Sequence, residues 1–325
     1  GVLAAATAFG KTVLGAYLIA QKKVNALVLV HNVEIMNNWI KDLNSFLTIN
    51  EELPTYTTPK GRVKKRSSLI GTFSSQKDAT TGIIDIAMIT SLGREDNINE
   101  LVRNYGMVIV DECHHAAAVT HENVLRAVTA RYIYGMSATI NRGDKQDKKM
   151  FMQLGPIRHR YTAKERAQKQ GIGHYIYPRF TRLVDLNQSE DRNPADYYRL
   201  IMQSELRNMQ IVSDTIDCVK RGRTPVVMTK YKEHAQKLYD MLQGSADHVF
   251  LLQGGKSLKE RAAIREEMAA VRADESIILV AIGQYVGEGF NYPRLDTMLL
   301  AMPISFEGNV EQHAGRLNRD YEGKK

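Results

Sequence analysis

Short apolar runs alternate with helical patterns along nearly the whole chain, and this rhythm constrains the fold more than any other feature. Residues 2–6, 26–30, 83–90, 107–110 and 132–136 are the runs of the first part, and helical patterns over 11–21 and 34–47 follow the first two. Continuous apolar runs separated by helices predict a parallel sheet covered on both faces. The rhythm pauses over 150–179, a polar and basic stretch interrupted by Pro178, which reads as the close of a first domain plus a connector. It then restarts with a helical pattern over 197–220. Runs follow at 225–229, 249–252, 277–281 and 297–301, with helices over 233–242, 258–271 and 309–318. The expectation is an α/β chain with two tandem domains built on parallel sheets, spanning 1–185 and 186–325.

Composition narrows the classes. Hydrophobic residues at 43% and charged residues at 25% of 325 are globular proportions, which exclude a wholly disordered or collagen-like chain. Lysine plus arginine number 44 against 36 acids, a net charge of +8 that permits a polyanionic partner. Cys113 and Cys218 are the only cysteines, so there is no disulfide framework; this fits a reducing compartment such as the cytoplasm. No window approaches the roughly 18 apolar residues of a membrane span. The apolar start has no basic leader and no methionine, so the chain reads as an internal fragment of a longer protein. On that reading it leaves a sheet edge exposed and is less stable than its parent.

Residues 5–12, Ala-Ala-Thr-Ala-Phe-Gly-Lys-Thr, follow an apolar run and open a helical pattern, the context a phosphate-binding loop requires. Loop amides and a helix N-terminus would face phosphate oxygens, with Ala8, Phe9 and Gly10 in the loop. The Lys11 ammonium would reach the β- and γ-phosphates of ATP, and the Thr12 hydroxyl could ligate Mg²⁺. Ala5 stands where many such loops carry glycine.

The run at 107–110 ends in Asp111 and Glu112. Carboxylates at the C-terminal end of a parallel strand sit at the crevice where nucleotides bind. Asp111 would hold Mg²⁺, mostly through water, and Glu112 would accept a proton from the attacking water. Two other readings stay open on these residues alone: acids at a helix start, and a metal cluster of Cys113, His114 and His115. Three adjacent residues converge poorly on one tetrahedral ion, and no second pair stands at ligand spacing.

Taken in order, these motifs resemble the superfamily-2 helicases. Asp111-Glu112-Cys113-His114 looks like a DExH box, Ser137-Ala138-Thr139 like motif III, and residues 287–293 (Gly-Glu-Gly-Phe-Asn-Tyr-Pro) like motif V. Residues 312–319 fit motif VI, Q-x-x-G-R-x-x-R. The nearest group is the DEAD/DEAH-box set similar to Res subunits of type III restriction enzymes and related DNA-repair helicases. The resemblance implies two RecA-like P-loop NTPase domains, with ATP between them and nucleic acid across both. It implies that Arg316 and Arg319 act as arginine fingers, that Gln312, Gly287 and Glu288 contact the nucleotide, and that Ser137 and Thr139 couple nucleotide state to movement. On a helix, Gln312, Arg316 and Arg319 would share one face, which suits a triphosphate whose charge grows during hydrolysis.

By the same resemblance, strand-end residues would grip the sugar–phosphate backbone: His31, Asn32, Thr90 and Ser91 in the first domain, Thr229, Lys230, Gln253 and Gly254 in the second. Such contacts carry no sequence information. The basic run 60–66 reads as a solvated loop or a flank of the nucleic-acid path, and the lone tryptophan, Trp39, as core. Two positions depart from the family pattern: Ile282 replaces a common threonine and Asn291 a common aspartate. The expected activity is ATP-dependent movement along nucleic acid or unwinding of it, DNA before RNA. A nucleotide-gated clamp with little turnover and an RNA helicase are the alternatives. No membrane partner is expected. Further domains of a parent protein, such as a nuclease or primase, are expected partners.

Overall fold

The computed structural model describes all residues except 7–8, 59, 95–96, 118, 139–146, 163–164, 166–172, 174, 182–192, 256–257, 287–289, 291, 305–306, 318, 320, 322–323 and 325. The chain divides into two compact units, residues 1–170 and 171–325, a division that falls within the polar 150–179 stretch.

In the first unit β1 (Val2–Ala5) leads to α1 (Lys11–Lys22), and β2 (Ala26–Val30) to α2 (Val33–Phe46). A short hairpin of β3 (Thr55–Thr57) and β4 (Val63–Lys65) precedes β5 (Ile70–Ser74), β6 (Lys77–Asp78) and β7 (Ile84–Met88). After α3 (Ile89–Leu92) and a small hairpin of β8 (Gly93–Arg94) and β9 (Asn97–Ile98) come β10 (Met107–Asp111) and α4 (Val119–Ala127). The unit continues with β11 (Tyr132–Ser137), α5 (Asp147–Leu154) and β12 (Ile157–Tyr161). The main sheet has eight strands in the order β12-β1-β11-β10-β2-β7-β5-β6, parallel throughout except for the terminal β5/β6 pair.

The continuous apolar strands are buried on both faces because the pleat sends alternate residues to opposite cores. Val2, Leu27, Leu29, Val108 and Val110 enter one core; Leu3, Val28, Val30, Met107 and Ile109 enter the other. Asn32 starts α2 by accepting the Ile35 amide on its side-chain oxygen at 2.8 Å. The apolar stripe Ile35, Trp39, Leu43 then packs that helix against the sheet.

The second unit has α6 (Pro194–Gln203), α7 (Glu205–Lys220), β13 (Pro225–Thr229), α8 (Lys232–Leu242) and β14 (His248–Leu252). It goes on to α9 (Leu258–Ala270), β15 (Ile277–Ile282), α10 (Gly283–Val286), β16 (Thr297–Leu300) and α11 (Glu307–Leu317). Its sheet is wholly parallel, in the order β14-β15-β13-β16.

Three local expectations need correction. The stretch read as connector contains α5 and the edge strand β12. That strand pairs on one side only, with β1, and leaves Arg158, His159 and Arg160 exposed, so it lacks the apolar run that marks a buried strand. The single helix expected over 197–220 is two helices separated at Ser204, whose ψ of 102° leaves helical geometry. Finally, α11 ends at Leu317, so Arg319 lies beyond the helix and the shared-face argument reaches only Gln312 and Arg316.

Candidate nucleotide site

Parallel strands deliver their C-terminal ends to one edge of a sheet. In the first unit that edge collects the loop after β1, His31 and Asn32 after β2, Thr90 and Ser91 after β7, Asp111 and Glu112 at the end of β10, and Ser137 closing β11. Residues that are distant in sequence converge there by topology alone.

Gly10 turns the chain into α1 with φ +91°, a conformation open to glycine and strained for other residues. It offers no side-chain cap, and no acidic residue stands in the first turn that Lys11 and Thr12 begin. The helix N-terminus thus presents its positive end, a fit for an anionic group. Phe9 packs its ring on Tyr161 at 4.9 Å between centroids.

Lys11 Nζ donates to Glu112 Oε1 at 2.9 Å. The other carboxylate oxygen, Oε2, accepts from Ser137 Oγ at 3.1 Å, and His114 Nδ1 lies 2.8 Å from that hydroxyl. Glu112 is a non-glycine residue at φ +45°, a left-handed turn that swings its side chain back onto this network. Its neighbour Asp111 takes the Glu112 amide on Oδ1 at 2.9 Å and the Trp39 indole N–H on Oδ2 at 2.8 Å. Burial opposes ionisation of Glu112, but the Lys11 charge and the His114 contact outweigh it and hold the carboxyl well below its usual range. For Asp111 burial and the adjacent Glu112 prevail over Lys11 and Trp39, and the carboxyl is pushed up.

This donor set fits Mg-ATP. An uncapped helix end and an ammonium face the phosphate side, and two strand-end carboxylates suit a hard cation. Zinc suits the neighbouring residues poorly. Cys113 is fully buried with its thiol pushed up by that burial, and His114 Nδ1 is engaged with Ser137. Sequence reasoning missed two members of the network. In the sequence His114 reads as the last letter of a motif or a member of a poor metal cluster, and Trp39 as core; neither the 72-residue separation of Trp39 from Asp111 nor the helical pattern carries a signal of their contact.

The remaining candidates occupy varied settings. Asn32 spends its side-chain oxygen on the α2 cap, and its nitrogen meets His31 Nε2 at 3.0 Å. Thr90 is exposed, while Ser91 Oγ accepts the Ser75 amide at 2.9 Å. In the second unit the Thr229 hydroxyl turns inward to His234 Nδ1 at 2.7 Å, whereas exposed Lys230 places its ammonium 4.3 Å from the Tyr198 ring centroid. Gln253 bonds Gln236 at 3.3 Å, and Gly254 follows it after β14. Arg316 is buried and donates from Nη1 to the Phe290 carbonyl at 3.3 Å, and the Arg319 carbonyl accepts from Lys324 at 2.9 Å. Ala8, Thr139, Gly287 and Glu288, and the Asn291 departure, lie outside the described residues, as does the side chain of Gln312.

Two parallel-sheet units, the first with a glycine-led helix entry and two strand-end acids, have the fold of tandem RecA-like domains, and the four ordered motifs resemble those of superfamily-2 DExH helicases. Residues 1–142 match the family described as type III restriction enzyme, res subunit. Transcript termination protein A18 of Fowlpox virus is 24% identical over 332 residues, covering 97% of this chain and 66% of that protein. The chain spans 57 to 66% of the length of the first curated relatives it matches. Among solved structures, the Hef helicase domain of Pyrococcus furiosus superposes with a TM-score of 0.58 at 12% identity, covering 99% of this chain and 91% of that one. The type ISP restriction-modification enzyme LlaBIII bound to DNA gives 0.60 at 13% identity, covering all of this chain and 26% of that one. No helix among the described residues is long and apolar enough to cross a membrane.

Proposed function

We propose that the chain is the ATP-hydrolysing core of a nucleic-acid helicase or translocase, with Mg-ATP as cofactor and DNA as its track. The observation that carries this reading is the Lys11–Glu112 ion pair beside Asp111 at the end of β10. Thr12 and Asp111 would hold the magnesium, which supplies Lewis-acid neutralisation of phosphate charge. When a triphosphate enters, Lys11 turns its ammonium from Glu112 to the phosphate oxygens. Glu112 then loses the charge that holds its carboxyl low, and burial raises its proton affinity toward that of a general base. Ser137 and His114 keep the carboxylate aimed while this happens. Arg316 and Arg319 are proposed to complete the charge compensation, and the strand-end residues from His31 to Gly254 to contact the nucleic-acid backbone.

The restriction-enzyme family match over residues 1–142 supports DNA as the track, while the fold itself is shared by proteins solved with DNA and with RNA. The net charge of +8 suits either polyanion. ATP turnover measured alone, with single-stranded DNA, with duplex DNA and with RNA tests the proposal, beside Lys11→Ala and Glu112→Gln. DNA-stimulated turnover absent from both variants is expected. Nucleotide-dependent DNA binding with no turnover under any condition would replace the motor with the clamp.

A further inference from the structure

A buried indole N–H needs an acceptor, and in most cores a backbone carbonyl provides it. Trp39, 1% exposed in the middle of α2, uses the strand-end carboxylate instead. Its ring is held from the other side by α1, where Gly15 leaves the space: a Cβ there would collide with Trp39 Cη2 and come within 2.8 Å of Cζ3. The helix that begins at the phosphate loop therefore wedges the indole toward the end of β10. The Glu112 amide on Oδ1 and the indole N–H on Oδ2 together fix the plane of the Asp111 carboxylate.

We infer that Trp39 is the positioning residue for the metal carboxylate Asp111, and that its fluorescence reports occupation of the metal site directly. The inference rests on reading this site as a Mg-nucleotide site. A donor to a metal-binding carboxylate fixes its orientation, and loss of such an outer partner typically costs about 10–100-fold in metal affinity. Because the chain has one tryptophan, no other indole contributes to the signal.

The test compares the full chain with Trp39→Phe, which keeps an aromatic ring and removes the N–H. Calorimetric titration with a non-hydrolysable ATP analogue, with and without Mg²⁺, reads binding independently of turnover. The expected result is unchanged analogue affinity without Mg²⁺, and an Mg²⁺ requirement raised about tenfold. ATP hydrolysis should show the same shift in half-saturating Mg²⁺, with kcat restored at high Mg²⁺. A residue that merely fills the core would lower the thermal midpoint and kcat and leave the Mg²⁺ dependence where it was; that outcome overturns the inference. A second measurement needs no variant: Mg²⁺ added to the analogue-saturated wild-type chain should change Trp39 emission, and an unchanged spectrum with Mg²⁺ bound by calorimetry also overturns it. Absence of any Mg²⁺-dependent analogue binding by the wild-type chain would instead sink the nucleotide-site reading itself, and this inference with it.

Discussion

Lys11 and Glu112 stand 101 residues apart in sequence, yet their side chains form an ion pair of 2.9 Å across the C-terminal edge of the first sheet. On the proposed function, the pair would hold the two groups a phosphoryl-transfer site needs, each masking the other until a phosphate competes for the ammonium. Glu112→Gln keeps the shape and removes the base. ATP hydrolysis should fall by about 10²–10⁴-fold, while a non-hydrolysable analogue still binds. Lys11→Ala should lose the analogue as well. Turnover within tenfold of wild type in the Gln variant would remove Glu112 from the chemistry.

Gly15 is constrained by a neighbour, not by its backbone, since a Cβ would enter the Trp39 ring. Gly15→Ala should cost about 1–3 kcal/mol, the usual range for overpacking a filled core, measured by urea denaturation. An exposed glycine at the same helical depth would gain stability from alanine, so the sign of the change decides whether the α1–α2 contact is as tight as described.

Asp85 is fully buried in β7 and accepts from the Thr81 and Gly82 amides at 2.7 Å, the Thr81 hydroxyl at 3.1 Å and the Tyr105 hydroxyl at 2.6 Å. It interrupts an otherwise apolar strand in order to hold the turn that precedes it. Asp85→Ala would strand several buried donors and should destabilise the first unit by at least about 3 kcal/mol. A loss under about 1 kcal/mol would mean that water replaces the carboxylate there.

Three buried histidines give the chain a pH dependence of definite sign. Burial is the leading cause that holds His121, His234 and His313 down to about 4, against an ordinary value of 6.5. Between those values the unfolded chain binds protons that the folded chain refuses, so stability is complete above 6.5 and falls as the pH drops toward 4. Urea midpoints at pH 7.5, 6 and 5 should decline in order, in a range where ordinary carboxylates stay charged. A flat profile would show that these imidazoles are protonated in the native state. In the second unit His313 and His234 both contribute, and the Thr229–His234–Asn208 contacts of 2.7 and 3.0 Å use both ring nitrogens of His234.

The alternation of fully apolar runs with helices was enough to predict two parallel-sheet domains, because a strand apolar at every position can only be buried on both faces. Glycine at position 10 and acids at the end of an apolar run were legible as a helix entry and a strand end, since backbone conformation and strand-end position are local properties. Edge strand β12 escaped notice because a strand paired on one side keeps polar residues. The break at Ser204 has no proline or glycine to announce it. Tertiary structure alone decided which side chains meet. Trp39 reads as core from its helical spacing, and only the packing of α2 on the sheet turns its N–H onto Asp111. Thr229 reads as a strand-end hydroxyl open to a phosphate, and only the docking of α8 turns it inward. The strands and their order of burial are written in periodicity, whereas a hydrogen bond between residues 72 positions apart depends on the register and rotation of elements that no local pattern encodes.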